Sequence, residues 1–160
     1  MITKMCIAVA NYIISKTNEF NETKEYNQRI SMTCKRLQKL LYFSDIEFMK
    51  NNHGRSMFKD EFYAWPSGPV IPSVYYRFMI YQSGYMKPSE KEQACLSPDI
   101  KSAIDYVLKQ TNDKDTLDLV EKAHEQGGPW SQVYEANDPD HKQIIPKKMI
   151  YEYYRGRIVF

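Results

Sequence analysis

Residues 64–75 read Ala-Trp-Pro-Ser-Gly-Pro-Val-Ile-Pro-Ser-Val-Tyr, a stretch dominated by residues that restrict the backbone. Each proline fixes φ and removes a backbone donor, and the residue before each proline is kept out of the helical region. We therefore predict a stiff, extended segment that ends where a helix begins at Pro72, because proline suits the first helical position. Such a segment presents Trp65 either as a packing corner or as a recognition surface.

The composition is typical of one soluble domain, which we expect to span residues 1–160. A net charge of +2 is too small to indicate nucleic acid binding by itself. Cys6, Cys34 and Cys95 are an odd number without C-x-x-C spacing, so a disulfide framework is not expected and a reducing cytoplasm fits. The apolar run at residues 5–10 is too short to cross a membrane, and no secretory signal accompanies it. We therefore expect a cytoplasmic protein without membrane insertion.

Apolar residues recur at helical spacing along most of the chain, which predicts a mainly α, compact bundle of six or seven helices. The strongest pattern follows Thr33, a predicted cap, and indicates a central, largely buried helix that ends near residues 52–54. The outer side of this helix is expected to carry Lys35, Arg36, Lys39 and Glu47. Other helices are predicted from a cap at Thr3 to about Ser15, from Pro72 to Gly84, and from starts at Pro98, Asp115, Pro129 and Pro146.

The segments between these helices are shorter or more polar. Residues 57–65 alternate weakly and predict a small β-hairpin or an extended insert. Residues 16–29 predict either a mobile loop or a fraying extension of the first helix, and residues 85–94 a polar connection. The apolar tail at residues 158–160 is expected to dock on the domain or to contact a partner.

We find no local pattern for a metal, a cofactor or catalysis. His124-Glu125 lacks the second histidine of a zinc-protease helix, because Gly128 occupies that position. Cys6 and Cys34 lie among apolar residues, which raise the pKa of a thiol and make it unreactive. We therefore predict a protein that is not an enzyme, although a site assembled in space around Cys95 or His124 stays open as an alternative.

The basic residues and the tryptophans suggest surfaces. Lys35, Arg36 and Lys39 form a basic cluster that is more typical of a solvated helix face than of nucleic acid binding, because acidic neighbours dilute the charge. Trp65 and Trp130 each stand beside a Gly-Pro break, and tryptophans at rigid positions make good interface anchors.

Three blocks of sequence together resemble a known family. They are Leu37-Gln38-Lys39-Leu40-Leu41-Tyr42-Phe43, then Phe62-Tyr63 with residues 64–75, then His124-Glu125 followed by Gly128-Pro129-Trp130. Their order and spacing resemble the Panacea domain of the SocA-like antitoxin family, which includes phage proteins of the GepA type. The resemblance extends from about Cys6 to Tyr154.

The resemblance implies an antitoxin that neutralises a cognate protein toxin by direct binding. An alternative within the family is a proteolytic adaptor that delivers the toxin to a ClpXP-type protease, and a phage-encoded regulatory binding protein is a further one. A protease or chaperone is therefore a second class of partner. The predicted partner-binding residues are Arg36, Lys39, Trp65, Tyr75, His124 and Trp130; alternatively, these residues hold the fold and the partner binds the 16–29 segment or the tail.

Overall fold

The computed structural model describes residues 4–81, 85–89 and 95–160, and within them it confirms a mainly α fold with a small sheet. The helices are α1 (Met5–Glu22), α2 (Cys34–Asn51), α3 (Pro72–Phe78), α4 (Pro98–Thr111), α5 (Thr116–Ala123), α6 (Pro129–Val133) and α7 (Lys147–Tyr154). The strands are β1 (Phe62–Trp65), β2 (Gly68–Val70) and β3 (Ile144–Ile145). Short 3-10 helices cover Tyr26–Gln28 and Met79–Tyr81.

Helix α2 lies at the centre, as its wide apolar pattern predicts. It packs against α1, α4, α5 and α7 and against β2. Its start is fixed by Thr33, whose hydroxyl accepts a hydrogen bond from the Arg36 amide at 3.1 Å. Its end at Asn51 is followed by Gly54 with a φ of 85°, a conformation that glycine adopts without strain. Leu40 and Leu41 are fully buried, and each contributes about 1.5–3 kcal/mol of hydrophobic stabilisation.

Helix α1 continues further than its predicted end near Ser15. Residues 16–22 are helical, so the alternative of a loop that begins at Lys16 is wrong and the helical extension is confirmed for them. In its last turn Asn21 holds the segment that follows, because its side-chain amide both donates to the Ile30 carbonyl and accepts from the Ile30 amide, each at 2.8 Å. The predicted cap at Thr3 lies outside the described residues.

The predicted β-hairpin exists, but its strands differ from the expected span of 57–65. β1 pairs antiparallel with β2, with Trp65 opposite Gly68, so the chain reverses at residues 66–67. The proline-rich stretch therefore supplies the second strand as well as the turn. Pro69 is compatible with this strand because β2 lies at the edge of the sheet, whose order is β2-β1-β3.

A buried ion pair holds the C-terminal helix against α2. Asp45 is completely buried, accepts hydrogen bonds from the Ser56 hydroxyl and the Met57 amide, and lies 3.7 Å from Lys147 Nζ. Lys147 also donates to the Ser56 hydroxyl and to the Phe58 carbonyl. Burial raises the pKa of Asp45, and Lys147 opposes that rise. If α7 moved away, Asp45 would be left as a buried charge without its partner Lys147, which is strongly unfavourable. The ion pair therefore fixes the position of α7 on α2.

The remaining helix boundaries follow their predicted signals in most places. α4 begins at Pro98, α6 begins at Pro129, and Asp115 forms a capping box with Asp118. α3 ends at Phe78, and the predicted stop at Gly84 lies outside the described residues, as do residues 90–94 of the polar connection. The tail docks on the domain, because the Phe160 ring packs 5.1 Å from Phe43.

Candidate partner-binding site

Polar side chains of α2 point into the protein and bind backbone groups of distant segments. Arg36 is 3% exposed, and its guanidinium donates to the carbonyls of Lys114 and Thr111, both at 2.9 Å. It therefore ties α2 to the turn between α4 and α5. The prediction that Arg36 lies on the outer side of α2 is wrong, because the carbonyls of Thr111 and Lys114 supply partners that compensate for the burial of its guanidinium.

Gln38 and Lys39 bind the proline-rich stretch itself. The Gln38 side chain accepts from the Ile71 amide at 2.8 Å and donates to the Ile71 carbonyl at 3.2 Å. Lys39 is 0% exposed, and its ammonium donates to the Pro69 carbonyl at 3.2 Å. The prediction that Lys39 lies on the outer side of α2 is therefore also wrong. The first sequence block thus holds the second in place through hydrogen bonds inside the protein.

The side chains of Lys39 and His124 come close to the turn at Gly68. The φ of 111° at Gly68 is strongly unfavourable for any other residue. A Cβ at this position would lie 2.8 Å from Lys39 Cε and 3.5 Å from His124 Nε2. The absence of a side chain therefore lets Lys39 and His124 contact the turn from two sides.

The third sequence block binds the same turn. The Trp130 indole donates from Nε1 to the Trp65 carbonyl at 2.8 Å. The His124 ring lies 4.0 Å from the Trp130 ring, which also stacks on Tyr134 at 4.5 Å. Three of the predicted residues, Trp65, His124 and Trp130, are thus brought together, and all are half-buried.

The surroundings of this turn disfavour positive charge on its basic side chains. Burial, and to a smaller extent the charge of the nearby Lys35, lower the pKa of Lys39 to about 7. The pKa of His124 is also lowered, first by burial and then by Lys39, while the Pro66 carbonyl opposes the change. Nε2 of His124 is buried without a hydrogen bond. Both basic groups are therefore less protonated near neutral pH than they would be in water.

An exposed apolar surface adjoins the turn. Trp65 packs edge-on against Tyr75 at 5.3 Å and against Tyr76 at 6.4 Å. Tyr76 is 64% exposed, and Met79 and Ile80, three and four residues later, are 46% and 77% exposed. We call Trp65, Tyr75, Tyr76, Met79 and Ile80 the aromatic face.

Sequence reasoning named Trp65 and Tyr75 but missed the other three residues of the aromatic face, and it placed Met79 in a buried stripe. A signal for them was present. Residues 74–81 are apolar or aromatic on nearly every side, and a helix as short as α3 cannot bury all sides when only one packs on the domain.

The three cysteines lie in different surroundings. Burial raises the pKa of the Cys6 thiol to about 12, and it also raises the pKa of Cys34, as their apolar surroundings predict. Cys95 is exposed at the edge of an open cavity of about 210 Å³ that Asn11, Tyr12 and Lys101 also line. In the part of the chain that the structure describes, no three His, Cys, Asp or Glu side chains are arranged to hold a metal ion.

Comparison with known families gives one match. The family model described as antitoxin SocA-like, Panacea domain, matches residues 37–131, more than half of the chain and a span that contains all three sequence blocks. Neither the curated proteins nor the solved structures gave a match. None of the described helices combines the length and the apolar character that a membrane span needs. The family description implies a protein partner such as a toxin. The chain therefore belongs to the family of SocA-like antitoxins with a Panacea domain.

Proposed function

We propose that this protein neutralises a toxin by binding it directly through the aromatic face, in a stoichiometric complex that covers a working surface of the toxin. The observation that carries the proposal is the aromatic cluster of half-buried Trp65 and Tyr75 with exposed Tyr76, in a chain whose family is described as antitoxins. Tyrosine and tryptophan dominate the residues that contribute most to protein interfaces.

The rigidity of the surface supports the same function. The turn that carries Trp65 is bound by Lys39 at Pro69, by Gln38 at Ile71 and by the Trp130 indole at Trp65. A surface that is already ordered before binding loses little conformational entropy on association, which favours affinity. The residues of the first and third blocks thus serve the interface indirectly, by positioning the aromatic face.

This proposal changes the role of several predicted contact residues. Arg36 and Lys39 hold the fold from inside, and Trp130 and His124 support the turn. Trp65 and Tyr75 contact the toxin, together with Tyr76, Met79 and Ile80. We further propose that residues 1–160 act as one domain in the cytoplasm and catalyse no reaction. The described residues of α1 and α7 belong to the same apolar core, which supports one domain.

Co-expression with the product of the adjacent gene tests the function. We expect the adjacent product to arrest growth when expressed alone, and we expect growth to recover when this chain is expressed with it. The two proteins are then expected to purify together in a 1:1 ratio by size-exclusion chromatography with light scattering. Recovery without a complex, or recovery that needs the host protease ClpXP and far less than one equivalent of this chain, would contradict direct neutralisation and favour the adaptor.

The substitution Tyr76→Ala is expected to weaken toxin binding roughly tenfold or more, because it removes an exposed aromatic anchor from the centre of the aromatic face. The free energy of unfolding should change by no more than about 1 kcal/mol, since Tyr76 is largely exposed. Isothermal titration calorimetry and urea unfolding measure the two effects.

The matched control is Tyr106→Ala, which removes a partly exposed tyrosine from α4. We expect it to leave the affinity within about twofold, the range of a substitution outside an interface. Equal losses for the two variants would show that the aromatic face is not the interface.

A further inference from the structure

The small sheet has one face in the core and one face that reaches the surface. Successive residues of a strand point to opposite faces, so Phe62 and Ala64 share one face of β1, and Tyr63 and Trp65 share the other. Phe62 and Ala64 are buried in the core, whereas Tyr63 and Trp65 are half-buried. The side of the sheet that carries Tyr63 and Trp65 is therefore its outer face.

Strand β3 adds an exposed aliphatic residue to the outer face. Ile144 lies directly opposite Tyr63, and Ile145 lies opposite Phe62. Ile145 is fully buried, whereas Ile144 is 43% exposed. Residues directly opposite each other in an antiparallel pair have Cβ atoms about 4.5–5.5 Å apart. Tyr63 and Ile144 therefore form one apolar contact pair, which we call the sheet patch.

The sheet patch continues into the aromatic face through Trp65. Tyr63 and Trp65 are two positions apart on the same side of β1, a separation of about 7 Å along the strand. The Trp65 ring packs against Tyr76 of α3, with the ring centroids 6.4 Å apart. The sheet patch and the aromatic face are thus adjacent parts of one apolar surface, with Trp65 between them.

The helical part of the aromatic face is small for an interface. α3 has seven residues, and the 3-10 helix that follows it has three. A stable interface of standard size takes about 20–30 residues from each partner. A stable complex at the aromatic face therefore needs further contact area, and the sheet patch supplies apolar area directly beside it.

Both edges of the sheet are already in contact with other parts of the protein. At the β2 edge, Lys39 binds the Pro69 carbonyl, and Gln38 binds the backbone amide and carbonyl of Ile71, the residue after β2. At the other edge, β3 has only two residues and contacts α6. A linear peptide that binds by adding a strand needs an exposed edge. The geometry therefore favours a partner that contacts the side chains of the outer face and of α3.

We infer that the toxin binds as a folded domain, through an apolar surface that covers the aromatic face and the sheet patch together. This inference rests on the proposed function and adds the kind of partner and a second contact area. A folded domain presents several segments at once, so it can contact a helix and a sheet in one complex. Trp65 lies at the centre of the combined surface, where the residues that contribute most to binding are concentrated.

A comparison of intact toxin with toxin peptides tests the kind of partner. The adjacent gene product and overlapping peptides that cover its sequence are each titrated with this protein by isothermal titration calorimetry. The peptides have about 20 residues, enough for a helix of about five turns. We expect the intact product to bind more than about tenfold more tightly than any peptide, because no peptide covers both contact areas. A peptide whose affinity comes within that factor would overturn the inference.

The substitution Ile144→Lys tests the sheet patch. It is expected to weaken binding of the intact product about tenfold or more, because it places an unpaired charge within the apolar contact area. Lysine is well tolerated in edge strands, so the fold should be kept, which urea unfolding checks. If Ile144→Lys does not fold, Ile144→Thr keeps the branched side chain that strands favour and should weaken binding about threefold.

Ile158→Lys is the matched control, because Ile158 is 90% exposed in the tail after α7 and the substitution changes the net charge equally. Its affinity should stay within about twofold of the wild type. Wild-type affinity in a folded Ile144→Lys, or an equal loss in Ile158→Lys, would show that the sheet patch is outside the interface.

These outcomes separate the inference from the proposed function. If Tyr76→Ala loses the complex and Ile144→Lys keeps it, the inference fails and the antitoxin function stands. If the wild-type chain forms no complex with the intact product, the function itself fails. A concentration-dependent dimer of this chain alone that both Ile80→Ser and Ile144→Lys abolish would also overturn the inference, because a second copy would then occupy the surface.

Discussion

Gly68→Ala is expected to lower the free energy of unfolding by about 3 kcal/mol. Two causes add. A side chain at a φ of 111° strains the backbone by about 1–3 kcal/mol. The new Cβ would also lie 2.8 Å from Lys39 Cε, inside a fully buried region where Lys39 cannot move without loosening its hydrogen bond to Pro69.

Gly127→Ala separates the two causes. Gly127 has a positive φ of 80°, but a Cβ there would meet no atom within 4 Å. It is therefore expected to show the backbone strain without the crowding, and to cost about 1–2 kcal/mol. Urea unfolding of both variants measures the difference. Equal destabilisation would contradict the close contact between Lys39 and the turn.

The stability of the wild-type protein is expected to increase by about 2 kcal/mol between pH 7 and pH 8.5, because of Lys39. In the folded protein burial lowers the pKa of Lys39 to about 7, whereas in the unfolded chain it returns to about 10.4. Between these values the unfolded chain binds a proton that the folded protein does not, so stability rises with pH by at most about 1.4 kcal/mol per pH unit. The range ends at pH 8.5 because the buried Cys6 thiol has the opposite effect above it.

Lys39→Met should remove this slope, because methionine keeps the apolar stem and cannot bind a proton. Lys35→Met removes an exposed lysine one turn away and should keep most of it. Unfolding by urea at several pH values between 7 and 8.5 measures both variants and the wild type. A wild-type slope that survives in Lys39→Met would mean that another group titrates and that Lys39 is not buried as the structure has it.

The burial of Arg36 and Lys39 is the part of the site that could not be predicted from sequence. Both residues have long charged side chains, which are exposed in most helices. Their partners are backbone carbonyls of Thr111, Lys114 and Pro69. Every residue has a carbonyl, so no side-chain pattern marks these partners, and only the packed structure shows which carbonyls come within reach.

In the hairpin, too, features set by neighbouring residues could be predicted from sequence, whereas the pairing of strands that are distant in sequence could not. The stiff, extended course of residues 64–75 was predicted from the prolines, and it is compatible with both the turn and the second strand. Pairing of Tyr63 with Val70 on one side and with Ile144 on the other depends on contacts across the chain. β3 has only two residues, too few for a period-two pattern to be recognised.

The elements with local signals were predicted well. The caps at Thr33 and Asp115 and the helix start at Pro129 depend on neighbouring residues alone. The family was also recognisable, because three separate blocks keep their order and spacing. The structure gives a physical reason for their association: Gln38 and Lys39 of the first block and His124 and Trp130 of the third contact the proline-rich stretch of the second.

A titration of the toxin with this protein tests the central claim most directly. The purified adjacent gene product would be assayed for its inhibitory activity in a cell-free extract with increasing amounts of wild-type chain or of the Tyr76→Ala/Ile80→Ser double variant. The account predicts complete inhibition at one equivalent of the wild type and no inhibition by one equivalent of a folded double variant. Inhibition by far less than one equivalent, or equal inhibition by the double variant, would contradict it.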